Sequence, residues 1–128
     1  MKLFTSSVLL IGTPSENLDQ IGADWVPSLS HTIEVIEKNP YPVIVSFFNS
    51  ENLQNWRDIK KNGLIRSQDR RIFIIDKNDT ENISIAINEF HPFKILTEFE
   101  ISTLVESIKE ALEDYHLFKQ KKRSTILT

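Results

Sequence analysis

The amino-acid sequence predicts an α/β fold in which a five-stranded parallel sheet carries helices on both faces. Three short apolar runs, at 7–12, 43–48 and 71–75, are bounded by turn-forming residues, as is typical of strands buried on both faces. Segments whose apolar residues recur at helical spacing separate the runs. Strand and helix alternate along the whole chain, which indicates a doubly wound sheet.

The first half of the chain supplies three strands and two helices. We predict strands at 7–12, 23–26 and 43–48, a shortened first helix at 15–22, and a second helix at 30–38. The second helix stops before Asn39-Pro40 because a residue that precedes proline avoids helical geometry. The strand at 43–48 is the most apolar and is expected to lie at the centre of the sheet.

The second half supplies two strands and three helices. We predict a helix at 53–61 with a glycine cap at Gly63, a strand at 71–76, a helix from 80 to 90, a strand at 93–97 and a final helix from Ile101. In the helix from 80 to 90 the expected inward side chains are Ile83, Ala86, Ile87 and Phe90. The final helix keeps the i, i+3, i+4, i+7 spacing for about four turns.

Composition excludes several classes of protein. The 128 residues fit one domain, with 40% hydrophobic and 26% charged residues, and the net charge of −3 argues against direct nucleic-acid binding. No apolar run approaches the roughly 20 residues of a membrane span, and the lack of cysteine fits a cytoplasmic protein. We expect a domain at 1–118 and a basic tail at 119–128 that begins a linker to an output domain.

The chain resembles the receiver domains of two-component response regulators, which have a flavodoxin-like fold. The resemblance is carried by Asn39-Pro40-Tyr41-Pro42-Val43-Ile44-Val45-Ser46, by Ala86-Ile87-Asn88-Glu89, by Phe93-Lys94-Ile95-Leu96-Thr97 and by the helix Leu104 to Tyr115. It implies a site at the strand ends. There an aspartate takes a phosphoryl group, acidic residues hold Mg²⁺ and a lysine neutralises the phosphoryl oxygens.

None of those groups stands at the matching positions of this chain. The resemblance puts the acidic pair at Gly12 and Thr13, the phosphoacceptor at Phe47, the hydroxyl at Ile75, the aromatic switch at Ile95 and the lysine at Glu98. We therefore predict a pseudo-receiver that is not phosphorylated, has no enzyme activity and holds neither metal nor cofactor. Phe47, Ile75 and Ile95 are expected to form an apolar cluster that fills the former site.

The resemblance also implies an interaction surface. Receiver domains bind partners or dimerise through what we call the C-terminal face, made by the helix at 80–90, the strand at 93–97 and the final helix. Candidate contact residues there are Ile85, Phe99, Glu89 and Lys94. Ile85 and Phe99 are either an exposed apolar pair that a partner would contact, or side chains that pack locally, and the sequence leaves both readings open. The expected partner is a protein or a second copy of the chain, with no membrane involved.

Other readings of the sequence remain open. A small-ligand or nucleotide binder would use the crevice above the strands at 7–12 and 43–48, with Thr13, Ser15, Asn49 and Glu98 as its polar lining. Asp76, Asp79 and Glu81 suggest a cation site, although a solvated loop and a helix cap explain them better. A small hydrolase is disfavoured because no nucleophile and base are placed together.

Overall fold

A computed structural model describes residues 4–12, 22–27, 29–38, 41–66, 68–98 and 100–127, and it contains one parallel five-stranded sheet. The strands lie in the order β2-β1-β3-β4-β5. Their bounds are β1 Phe4–Ile11, β2 Ala23–Val26, β3 Val43–Phe47, β4 Arg70–Ile74 and β5 Lys94–Leu96. The predicted fold class is confirmed, and β3 is the central strand.

Helices pack on both faces of the sheet. They are α1 Leu29–Lys38, α2 Leu53–Lys61, α3 Thr80–Ile85, which continues as a π-helix over Ala86–Phe90, and α4 Ile101–Leu127. α2 ends as predicted, since Gly63 follows its cap residue Asn62 with a φ of 73°. The predicted short helix at 15–22 lies, except for Gly22, outside the described residues.

The chain reverses its direction of winding at β1, which pairs with β2 on one side and with β3 on the other. Ile11 is level with Ser46 of β3, Phe47 with Ile74 of β4, and Ile74 with Leu96 of β5. The carboxyl ends of all these strands therefore meet at one edge. In open α/β sheets ligands bind beside that edge, at the point where the strand order reverses.

Two cores sandwich the sheet. The first lies under α1, α2 and α3 and contains an aromatic group, in which the ring centre of Phe73 is 4.9 Å from that of Phe48 and 5.0 Å from that of Trp56. The second core lies under α4 and is aliphatic, with Leu104, Ile108 and Ala111 fully buried against the strands. Offset and edge-on ring pairs add to the stability that burial alone gives the first core.

The π-helix changes which side chains of the 80–90 segment face the core. Ala86 and Phe90 are buried as predicted, but Ile87 is 50% exposed, so its predicted inward position was wrong. Ile85 is partly buried and packs against the first core, which is the local packing that the sequence left open for it. A π-turn holds more residues than an α-turn, so the side chains after Ile85 are rotated around the helix axis.

α4 extends beyond the four turns over which the sequence keeps its apolar spacing. It has 27 residues and continues through the predicted basic tail as far as Leu127. Tyr115 is the last buried side chain among those described, while Leu117 is 50% exposed and Phe118 37% exposed. Among the residues that the structure describes, no helix combines the length and apolar character of a membrane span.

Candidate functional site

The candidate site lies at the carboxyl end of the sheet, where Phe47 ends the central strand. The four residues before Phe47 in β3 are buried, whereas Phe47 itself is 38% exposed. The next residue, Phe48, returns to the first core and is 1% exposed. Phe47 is thus the one residue of β3 that the strand presents to solvent, at the place where chemistry is found in this class of sheet.

A cleft opens beside Phe47 between the ends of β3, β4 and β5. Its volume is about 470 Å³, which suits a small ligand. Its walls are formed by Phe47, Phe48, Asn49, Ile74, Ile75, Asp76, Lys77, Asn78, Asp79, Thr97 and Glu98. Of the polar lining predicted from the sequence, Asn49 and Glu98 lie here, whereas Thr13 and Ser15 lie outside the described residues.

Gly12 closes the other side of Phe47. Its N–H donates to the carbonyl of Val26 at 3.0 Å, and its own carbonyl accepts from the indole N–H of Trp25. Gly12 has a φ of 140°, a conformation that glycine adopts and other residues rarely do. A Cβ at Gly12 would meet the Phe47 ring at 3.6 Å, an ordinary contact distance, so the need for glycine comes from the backbone.

The turn after β3 is held by two asparagines. The N–H of Asn49 donates to Oδ1 of Asn52 at 2.9 Å, and the N–H of Asn52 donates to Oδ1 of Asn49 at 3.0 Å. Nδ2 of Asn52 also donates to the carbonyl of Phe47 at 2.6 Å. These hydrogen bonds satisfy backbone groups at the end of β3 and hold the backbone on which the Phe47 side chain is carried.

The turn after β4 is held by two aspartates. Asp76 accepts from the N–H of Asn78 at 2.8 Å. Asp79 caps α3, accepting from the N–H of Asn82 at 3.3 Å and from its Nδ2 at 2.6 Å, and Asn82 also donates to Oγ of Ser50 at 3.0 Å. The predicted helix cap is therefore present. Within the described residues, no group of three or more His, Asp or Glu is placed to hold a metal ion.

The charge of the cleft is negative. Asp76, Asp79 and Glu98 carry three negative charges and Lys77 one positive charge, so the charged lining residues sum to −2. Anionic ligands such as a phosphoryl group are repelled by this arrangement, since their binding sites are rich in cations or backbone N–H donors.

The predicted apolar cluster of Phe47, Ile75 and Ile95 does not form. Ile75 is 1% exposed and belongs to the first core, and Ile95 packs against the same core from β5. Phe47 stays partly exposed at the strand end instead. Alternation along a strand explains the difference, because Phe47 continues the side of β3 that carries Val43 and Val45, which face the second core.

Two of the predicted contact residues of the C-terminal face form ion pairs with neighbouring helices. Glu89 points toward α2, where it accepts from Nε and Nη2 of Arg57 at 3.0 and 2.7 Å, and the hydrogen bond from Arg57 lowers the pKa of Glu89. Lys94 pairs with Glu110 of α4 at 3.0 Å. Phe99 lies outside the described residues.

Sequence reasoning missed the buried charges at the opposite end of the sheet. Arg71 is 7% exposed, and its Nη2 donates to the carbonyl of Phe90 at 2.7 Å. Its Nη1 donates to the carbonyl of Arg66 at 3.3 Å, and Asp69 nearby is 9% exposed. Burial lowers the pKa of Arg71 and raises that of Asp69. Charged residues at the start of a strand are normally expected to be exposed, so no sequence pattern predicted that these two would be buried.

The parallel sheet, its strand order and the open strand-end cleft define a flavodoxin-like α/β domain. No protein-family model matches the chain, and no curated protein matches it in sequence. Solved structures do match. A crystal structure described as the adenylate cyclase from Rhodopirellula baltica superposes with a TM-score of 0.76 at 19% identity, over 96% of this chain and 98% of that one.

Receiver domains are among the similar structures. The signal receiver domain of an HD domain-containing protein from Pseudomonas fluorescens Pf-5 has a TM-score of 0.66 at 15% identity, covering 86% of this chain and 96% of that chain. A response regulator receiver domain protein from Clostridium thermocellum has a TM-score of 0.66 at 20% identity, covering 88% of this chain and 98% of that chain. The chain therefore has the receiver-domain fold.

Proposed function

We propose that this chain is a pseudo-receiver domain of bacterial signal transduction that is not phosphorylated and has no enzyme activity. The observation that carries the proposal is the exposed Phe47 at the carboxyl end of the central strand, where receiver domains carry the acceptor aspartate. Phenylalanine has no nucleophilic atom, and Glu98 stands where the lysine is expected. The similar bacterial receiver domains support a role in signalling.

The proposed mode of action is binding of a protein, either a partner or a second copy of the chain, through the C-terminal face. Because the domain is not phosphorylated in this proposal, it transmits its signal by binding another protein molecule. The exposed side chain of Ile87 on the π-helix replaces Ile85 as the apolar contact that supports this part of the proposal. The Lys94–Glu110 pair adds charged contacts of both signs on the same face.

Phosphorylation is tested with a mimic of the acyl phosphate. Amide NMR spectra of the labelled domain are recorded before and after addition of Mg²⁺ and beryllofluoride, with a receiver domain that has its acceptor aspartate as the positive control. We expect no change at Phe47, Ile75 or Glu98, since no carboxylate stands at the end of β3, where the mimic binds in a receiver domain. Saturable shifts at these strand ends would contradict the proposal.

Association is tested by one exposed isoleucine and a matched control. Ile87→Asp is expected to abolish self-association or partner binding, measured by sedimentation, without loss of helix content. Trp25→Asp is the control, because Trp25 is also exposed, at 43%, but lies on β2 at the opposite edge of the sheet from β5. If association survives in Ile87→Asp and is lost in Trp25→Asp, the C-terminal face is not the interface.

A further inference from the structure

One guanidinium group of this chain is already held by a ring and a carboxylate. The guanidinium carbon of Arg70 lies 5.4 Å from the centre of the Phe118 ring. Its Nε donates to Oδ2 of Asp114 at 2.7 Å. A flat cation is thus bound between an aromatic face and a carboxylate oxygen, which are the two groups that guanidinium recognises best.

The strand-end cleft brings the same two kinds of group together. The Phe47 ring, 38% exposed, is part of its wall, as are the carboxylates of Asp76, Asp79 and Glu98. The cavity of about 470 Å³ has room for a guanidinium and several further atoms. With a net charge of −2 on its charged lining residues, the cleft attracts cations as strongly as it disfavours phosphate.

The cleft is also organised before any ligand arrives. The hydrogen bonds between Asn49 and Asn52 hold the turn that follows Phe47, and Asp76 and Asp79 are each fixed by bonds to the backbone of their own turn. Each carboxylate has about four lone-pair positions, so such bonds leave acceptors available. A preformed site loses less entropy on binding.

From these observations we propose that the cleft binds a guanidinium group, with the Phe47 ring against its flat face and the carboxylates of Asp76 and Glu98 as acceptors. The group belongs either to a small cationic metabolite or to an arginine side chain of a protein partner. The proposal is independent of the mode of action on the C-terminal face, and it gives the degenerate site a ligand of the opposite charge to a phosphoryl group.

The test compares two probes of the same shape and different charge. Methylguanidinium and methylurea are titrated into the labelled domain below denaturing concentrations, with inorganic phosphate as the anionic probe. We expect saturable amide shifts at residues 47–49, 75–79 and 97–98 with methylguanidinium only, weakening as salt is added. Equal shifts with methylurea, shifts with phosphate instead, or no saturable shifts in these segments would overturn the proposal.

Matched variants assign the ring and the carboxylate. Phe47→Leu is expected to weaken methylguanidinium binding roughly two- to fivefold, the effect of a partly exposed cation–π contact. Phe118→Leu removes a ring of nearly equal exposure, at 37%, and is expected to leave the dissociation constant unchanged. Glu98→Gln keeps the shape of the side chain and is expected to weaken binding by a similar factor. Unchanged affinity in both Phe47→Leu and Glu98→Gln would overturn the assignment.

The two sources of guanidinium are separated by a further pair of probes. Agmatine carries the group on a small aliphatic amine, and a blocked Gly-Arg-Gly peptide carries it on a polypeptide backbone. Tighter binding of agmatine assigns the cleft to a metabolite, and tighter binding of the peptide assigns it to a protein partner. Failure of both, with methylguanidinium also silent, would overturn the proposal while leaving the beryllofluoride test of the pseudo-receiver unaffected.

Discussion

The two ends of the sheet use charged residues in opposite ways. At the amino end of β4, Arg71 and Asp69 are buried, and the guanidinium of Arg71 is tied to two backbone carbonyls. At the carboxyl end, Asp76 and Glu98 are exposed around an open cleft. Buried charges need fixed partners and so define structure, whereas exposed charges around a cavity stay available for a ligand. The comparison separates the end of the domain where charges stabilise the fold from the end where we propose a binding site.

Removing Arg71 is the largest expected effect. Arg71→Ala leaves the carbonyl of Phe90 without the Arg71 donor, removes one of the two donors to the carbonyl of Arg66 and opens a cavity. We therefore expect a loss of about 3 kcal/mol in the free energy of unfolding, measured with urea. Arg71→Lys keeps the positive charge and can still donate to one of the two carbonyls, so its loss of unfolding free energy should be smaller. Glu98→Ala, at the other end, should change stability by no more than about 0.5 kcal/mol. Similar losses of unfolding free energy in Arg71→Ala and Glu98→Ala would contradict the proposed difference between the two ends of the sheet.

Backbone geometry gives an intermediate effect at the carboxyl end. Gly12→Asn should cost about 2 kcal/mol, because φ at Gly12 is 140° and lies beyond the left-handed helical range that asparagine tolerates. Gly63→Asn should cost less than about 1 kcal/mol, because Gly63 has a φ of 73° and open space around it. Thermal unfolding of both variants measures the difference in stability. Equal losses of stability would show that the backbone at Gly12 adjusts to the new side chain.

The smallest expected effect is a change of stability with pH at Asp69. Burial raises the pKa of Asp69 in the folded state, so the folded protein binds its proton more readily than the unfolded chain. That contribution is fully present below the ordinary carboxyl pKa and is lost as pH rises through the raised value. Relative to Asp69→Asn, the unmodified protein should therefore gain stability as pH falls through this window. A parallel pH dependence of the two proteins would show that Asp69 does not titrate differently on folding.

The sheet was readable from the sequence because its strands are continuous apolar runs. The runs Val43 to Phe48 and Arg71 to Ile75 are almost entirely apolar, as expected of strands that are buried on both faces of a sheet. The turn residues between the runs locate the ends of the strands to within a few positions. The cap at Asp79 was predicted for the same reason, since one short side chain satisfies local backbone donors. These features depend on neighbours along the chain.

The errors concern features that depend on neighbours in space. Ile87 was assigned to the wrong face because helical spacing assumes an α-turn, and nothing local in the sequence marks the π-helix. Phe47 was expected among Ile75 and Ile95, but strand alternation puts it on the other side of the sheet. That Phe47 ends the central strand was predictable from the sequence, whereas the direction of its side chain required the structure.

α4 extends well beyond the last described side chain that it buries in the core. From Tyr115, the last described side chain in the core, the helix continues to Leu127, a distance of about 18 Å at 1.5 Å per residue. A tilt of about ten degrees around Tyr115 would move the far end by about 3 Å, because a helix transmits rotation without bending at this length. A small rotation near the core would thereby become a larger displacement at the far end of α4.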